Sequence, residues 1–176
     1  MHTDHTISVP ADKPHYRRAL ILVHLIDTAL KKVKIQKNRI VTEKEDHTKI
    51  VELFADIHFL LITLSNIRKL LPELGKLFND SHEYSKLCDK YLPALDKVGI
   101  IRNHLEHILD GRLEGKGYRG QPLSEPNTFG NLAGDEYNFG GDTFNLSDMF
   151  TMCLELENEL KAWNKKVLVY PLWSKS

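Results

Sequence analysis

Apolar side chains recur along this chain at steps of three and four residues, the spacing that lines one face of an α-helix. Tyr16, Ala19, Val23, Ile26, Leu30 and Val33 make the first such stripe. Pro14 suits the start of that helix, because a proline in the first turn forfeits no hydrogen bond. The pattern predicts a helix from there to about Gln36. A second stripe runs through Ile50, Leu53, Ile57, Leu60, Leu64, Ile67 and Leu71. Thr42 with Glu45 reads as a capping box at its start, and Pro72 with Gly75 marks its end. Asp80 or Ser81 caps a third predicted helix, through Tyr84, Leu87, Cys88 and Tyr91. Pro93 either begins a fourth helix or bends a continuing one. Leu95, Val98, Ile101, Leu105 and Ile108 carry that stretch to about Gly111. The last helix, capped by Asn145 or Ser147, bears Met149, Cys153, Leu156, Leu160, Trp163, Val167 and Tyr170. That seam is regular enough to pair with a second subunit, and its Trp163, like Trp173, reads as a packing residue.

Glycine and proline break the helical pattern between residues 115 and 145. Asp135–Phe139 and Asp142–Asn145 flank a Gly140-Gly141 pair, which reads as a β-hairpin. The expected fold class is therefore all-α, a helical bundle of about five helices with a small β-hairpin insert before the last one. Residues 1–13 read as a flexible N-terminal arm, and 14–176 as a single helical-bundle domain with the insert at 115–145. A connection of that length is either a decorated crossover or the cover of a site.

Composition narrows the classes. At 41% hydrophobic and 27% charged residues, the chain can bury a core without metal or disulfide staples. Lys plus Arg and Asp plus Glu both number 24, so the overall charge does not draw it to nucleic acid or membranes. Cys88 and Cys153 have no metal-ligand spacing and read as small apolar residues of a reducing compartment. No targeting signal opens the chain, and polar residues interrupt every apolar stretch. The expectation is a cytoplasmic protein with no membrane partner. A local basic run, Lys31, Lys32, Lys34, Lys37 and Arg39, is either a solvated helix end or a phosphate-contacting strip.

The segment Arg102-Asn103-His104-Leu105-Glu106-His107 carries the most chemistry. Asn103 and His107 lie four apart and share a helix face, while Arg102 projects one turn before Glu106. One helix cannot aim all three at a single atom, but two copies around a two-fold axis can. This arrangement resembles the HEPN superfamily, helical bundles that often dimerise. Its active members carry an Arg, a polar residue, three further residues and a His. The resemblance implies a HEPN-like bundle acting as a metal-independent endoribonuclease without cofactor, in a toxin–antitoxin or defence setting. His107 would move protons between the 2′-hydroxyl and the leaving 5′-oxygen. Arg102 would hold the charge of the phosphorane, and Asn103 would orient the imidazole or the sugar. The product would end in a 2′,3′-cyclic phosphate. His104, Lys31, Lys32, Lys34, Lys116 and Arg119 are the candidate substrate-binding residues. The implied partners are a second copy, RNA, and a protein such as an antitoxin.

The segment departs from the toxin pattern at Leu109, where a Tyr often stands, and Glu106 and Asp110 place negative charge beside the phosphate site. The alternative function is a catalytically inactive, HEPN-like interaction protein with an antitoxin, immunity or scaffold role. In that reading Arg102 simply pairs with Glu106 across one turn. A third reading is a metal site on His104 and His107 with His58 or Asp56 from a facing helix.

Overall fold

The computed structural model describes residues 14–78, 82–106 and 130–167. Four α-helices and a three-stranded antiparallel sheet make up the described fold: α1 Pro14–Lys44, α2 Ile50–Gly75, α3 His82–Glu106, β1 Asn131–Ala133, β2 Glu136–Phe139, β3 Asp142–Asn145 and α4 Leu146–Val167. The chain is thus the expected mainly helical bundle, with four helices rather than about five.

The count drops because Pro93 sits inside α3 at an exposed position. It removes one hydrogen bond from the helix, yet Leu87, Tyr91, Leu95, Val98 and Ile101 stay on one buried stripe across it. Continuous packing outweighs the local defect. α1 outruns its predicted end by about two turns, since Ile40 and Glu43 continue the buried face beyond the basic run. Thr42 therefore caps nothing; its hydroxyl donates back to the Asn38 carbonyl at 2.9 Å. The turn is made by Asp46, whose carboxylate accepts from the Thr48 amide at 3.0 Å and opens a short 3-10 turn, His47–Lys49.

Ion pairs fix the helix directions. Arg18 meets Glu73 and Arg39 meets Asp56, so α1 and α2 run antiparallel. Arg68 with Asp96 and Leu71 with Tyr84 set α3 antiparallel to α2, and Lys90 with Glu159 and Glu83 with Lys166 set α4 antiparallel to α3. α2 and α4 each pack on both α1 and α3, which leaves α1 and α3 diagonal to one another. The core is apolar from end to end, and Ile57, Leu60, Leu61, Leu64, Ile67, Leu71, Leu74 and Leu95 are fully buried.

The stretch His47–Gly75 has the length and mean hydropathy, 1.6, of a membrane span, which the polar interruptions had argued against. Half of its most apolar 18-residue window is buried in the bundle, as befits a central core helix. At one end Trp163 stacks edge-on to Phe78, centroids 5.0 Å apart, and leans on Tyr84 at 4.8 Å. The Tyr84 hydroxyl donates to the Leu71 carbonyl at 2.8 Å. Trp163 is a packing residue, as its place in the seam implied.

The sheet closes the opposite end. Phe139 pairs with Asp142 across Gly140-Gly141, and both glycines have positive φ, 68° and 92°, the two-residue turn that matches strand twist. Strand β1 adds a third strand beyond the predicted hairpin. Tyr137 faces Phe144 in register, centroids 5.4 Å apart, and Tyr137 reaches Phe54 on α2. Asp135 ties the sheet down by accepting from Lys44 of α1 and Ser147 of α4. Asn145 caps α4, accepting from the Asp148 amide at 3.1 Å.

Candidate functional site

The last turns of α3 end beside the sheet. Val98 and Ile101 anchor the helix in the core, and Leu105 packs partly buried against it. That register turns Arg102 and Asn103 to a half-buried flank. The Arg102 guanidinium donates from Nη1 to Asn103 Oδ1 at 3.0 Å, and its Nη2 lies 2.5 Å from a Glu106 carboxylate oxygen. Three neighbouring side chains thus form one cluster in which the cation and the carboxylate offset each other. The Arg102 side chain keeps 21% of its surface open and Glu106 28%, so solvent screens the pair.

His107 follows directly but lies outside the described residues, as do Lys116 and Arg119. His104 points elsewhere: it is 7% exposed and faces the sheet, with Nε2 3.5 Å from Asp142 Oδ2. It joins α3 to β3 rather than lining the Arg102 surface. Asp142 had no signal in the sequence beyond its place at the hairpin turn.

The remaining predicted substrate contacts sit on α1, diagonal to α3. Lys31 reaches Asp27 at 2.7 Å, and this hydrogen-bonded partner raises its pKa. Lys34 reaches Glu157 on α4 at 2.6 Å. Lys32 borders a groove between α1 and α2. Of the same basic run, Lys37 stands over the Phe150 ring at 5.7 Å and Arg39 binds Asp56 at 2.8 Å. Most of the strip is therefore joined to its own bundle, and the structure does not gather it with Arg102.

Two buried carboxylate clusters were not foreseen. Burial would raise the Glu157 carboxyl, but Lys161 and Lys34 together outweigh it and hold it below its ordinary value. Between α1 and α2, Glu43 and Asp56 face one another beside Arg39. Burial first, and then the adjoining Asp56, raise the Glu43 carboxyl. Their signal was an acidic residue adjoining a core stripe: Asp56 next to Ile57, Glu157 next to Leu156, and Glu43 one turn after Ile40. Burial lifts the Cys153 thiol to about 12, so that sulfur is not a nucleophile at neutral pH. Among the described residues no group of three or more His, Cys, Asp or Glu side chains is placed to hold a metal ion.

Compared with protein-family models, with curated proteins and with solved structures, the chain matches none.

Proposed function

We propose that this bundle is a metal-independent endoribonuclease of HEPN type, working in the cytoplasm as a homodimer. The observation that carries the reading is the bond between Arg102 and Asn103 on the turn that leads into His107. It places a forked cation and a polar amide side by side on the rim of the bundle, as an Arg-polar-x-x-x-His site requires. The guanidinium would bind the pentacoordinate phosphate. His107 would exchange protons with the 2′- and 5′-oxygens. Glu106 would then act as a placeholder for the phosphodiester, an anion displaced when RNA arrives. Solvent reaches both side chains of this part-buried pair, so the contact is weak enough for that exchange.

The same Glu106 contact favours one second reading. A guanidinium already neutralised at 2.5 Å suits a non-catalytic interaction protein. Incubation with total RNA in EDTA separates the two. The ribonuclease reading expects cleavage by wild type, losses of roughly 100-fold or more in Arg102→Ala and His107→Ala, and cleavage by Glu106→Gln at least equal to wild type. No cleavage of tRNA, mRNA or rRNA, or equal cleavage by all variants, overturns it.

A further inference from the structure

A groove of about 520 Å³ runs between α1 and α2, on helices that do not carry the Arg102 cluster. An apolar strip runs through it, with Leu25 44% exposed, Phe59 57% exposed and Ile62 beside them, and polar side chains such as Gln36 and Asn66 line it alongside. The groove extends along α1 from Leu25 to Gln36, roughly 16 Å at 1.5 Å per residue, or three turns of a docked helix.

Lys32 and Lys69 border it from opposite helices. Among the described residues neither has a carboxylate partner, whereas Lys31, Lys34 and Arg39 along the same strip each hold one. We propose that this groove docks an acidic amphipathic helix of a partner protein. Its apolar stripe would cover Leu25 and Phe59, and its flanking carboxylates would reach Lys32 and Lys69. A concave channel between two helices fits a cylinder and leaves a flat bilayer surface out of contact with the floor. A second copy related by a two-fold axis would bring the same lysines to the same face, so like charges would oppose it.

The proposal is independent of the ribonuclease reading. Its probe is a labelled synthetic helix of about 16 residues, with leucines on one face and glutamates on both flanks, followed by fluorescence anisotropy. The full-length protein should bind it with micromolar affinity, more weakly as salt rises. Phe59→Asp and the double variant Lys32→Glu/Lys69→Glu should each weaken binding by roughly tenfold or more. The charge-reversed double variant should instead prefer a peptide with lysines replacing the glutamates. These are surface changes, and unaltered circular dichroism verifies the fold. The proposal fails if acidic and basic peptides bind alike, if the variants bind undiminished, or if anionic phosphatidylserine vesicles bind while the peptide does not. It also fails if sedimentation shows self-association that Phe59→Asp abolishes.

Discussion

Glu157 offers a test of how the bundle uses its charges, because its removal and the removal of its partners should differ sharply. The carboxylate side chain is 4% exposed, with Lys34 Nζ at 2.6 Å from one oxygen and Lys161 Nζ at 2.7 Å from the other. The lysines are 52% and 35% exposed, so each can return to water when released. Glu157→Met therefore leaves no stranded charge, and its cost should stay within about 1 kcal/mol. Lys34→Met/Lys161→Met leaves a buried carboxylate without either directly bonded cation, and breaking a pair in this way costs roughly 3–5 kcal/mol. The pH dependence should invert as well. In the wild type the Glu157 carboxyl is held below its ordinary value of 4.5. Its contribution is present above that value and fades as pH falls through the lower folded pKa. In the double variant burial, the largest single influence on Glu157, is opposed by the more weakly interacting Lys31 and raises the carboxyl. Stability is then fuller at low pH and is lost as pH rises through the raised value. Urea unfolding followed by circular dichroism at about pH 7, about pH 5 and about pH 3 measures both effects, the wild-type loss falling between the last two. Equal destabilisation of the two variants, or a double variant that weakens on acidification as the wild type does, refutes the reasoning. An unchanged stability in Lys34→Met with weakened RNA binding would return Lys34 to the substrate strip.

The sheet gives two further tests. Gly134 has φ 60° and open space where a methyl group would stand, while Gly130 has φ 77° and a side chain there would meet the Tyr137 hydroxyl at 3.1 Å. Gly134→Ala should cost about 1–2 kcal/mol, and Gly130→Ala more; equal losses in thermal unfolding contradict the contact. Lys44 first, then Ser147, holds Asp135 below its ordinary value of 3.8. That contribution is present above 3.8 and lost as pH falls through the folded value. Asp135→Asn should therefore flatten the acid dependence of amide protection in the sheet, and an acid limb identical to wild type would show that the clamp contributes nothing.

Much of the bundle was legible because the core stripes recur at helical spacing, and the Gly140-Gly141 turn fixed the hairpin. The boundaries were less so. Ile40 lies seven residues beyond Val33, and the intervening lysines hid that α1 continues. Pro93 carried a breaker's local signal, yet the buried stripe on either side kept α3 whole. β1 has three residues and one partly buried apolar side chain, too little for a period-two pattern to register. At the candidate site, adjacency alone disclosed the Arg102, Asn103 and Glu106 cluster. The burial of His104 was hidden, because it depends on Asp142, thirty-eight positions onward in the chain. The ion pairs of the lysine strip were hidden for a related reason: the partners Glu157 and Asp56 sit on other helices.

The central claim is that Arg102 of one copy and His107 of another act on a single phosphodiester. The most direct measurement co-expresses Arg102→Ala and His107→Ala chains under different tags, purifies the mixed dimer and analyses RNA ends in EDTA. The account predicts that each variant alone is inactive and that the mixed dimer regains cleavage, leaving 2′,3′-cyclic phosphate and 5′-hydroxyl ends. A mixed dimer as inactive as its parents, or an active wild type that sediments only as a monomer, would contradict it.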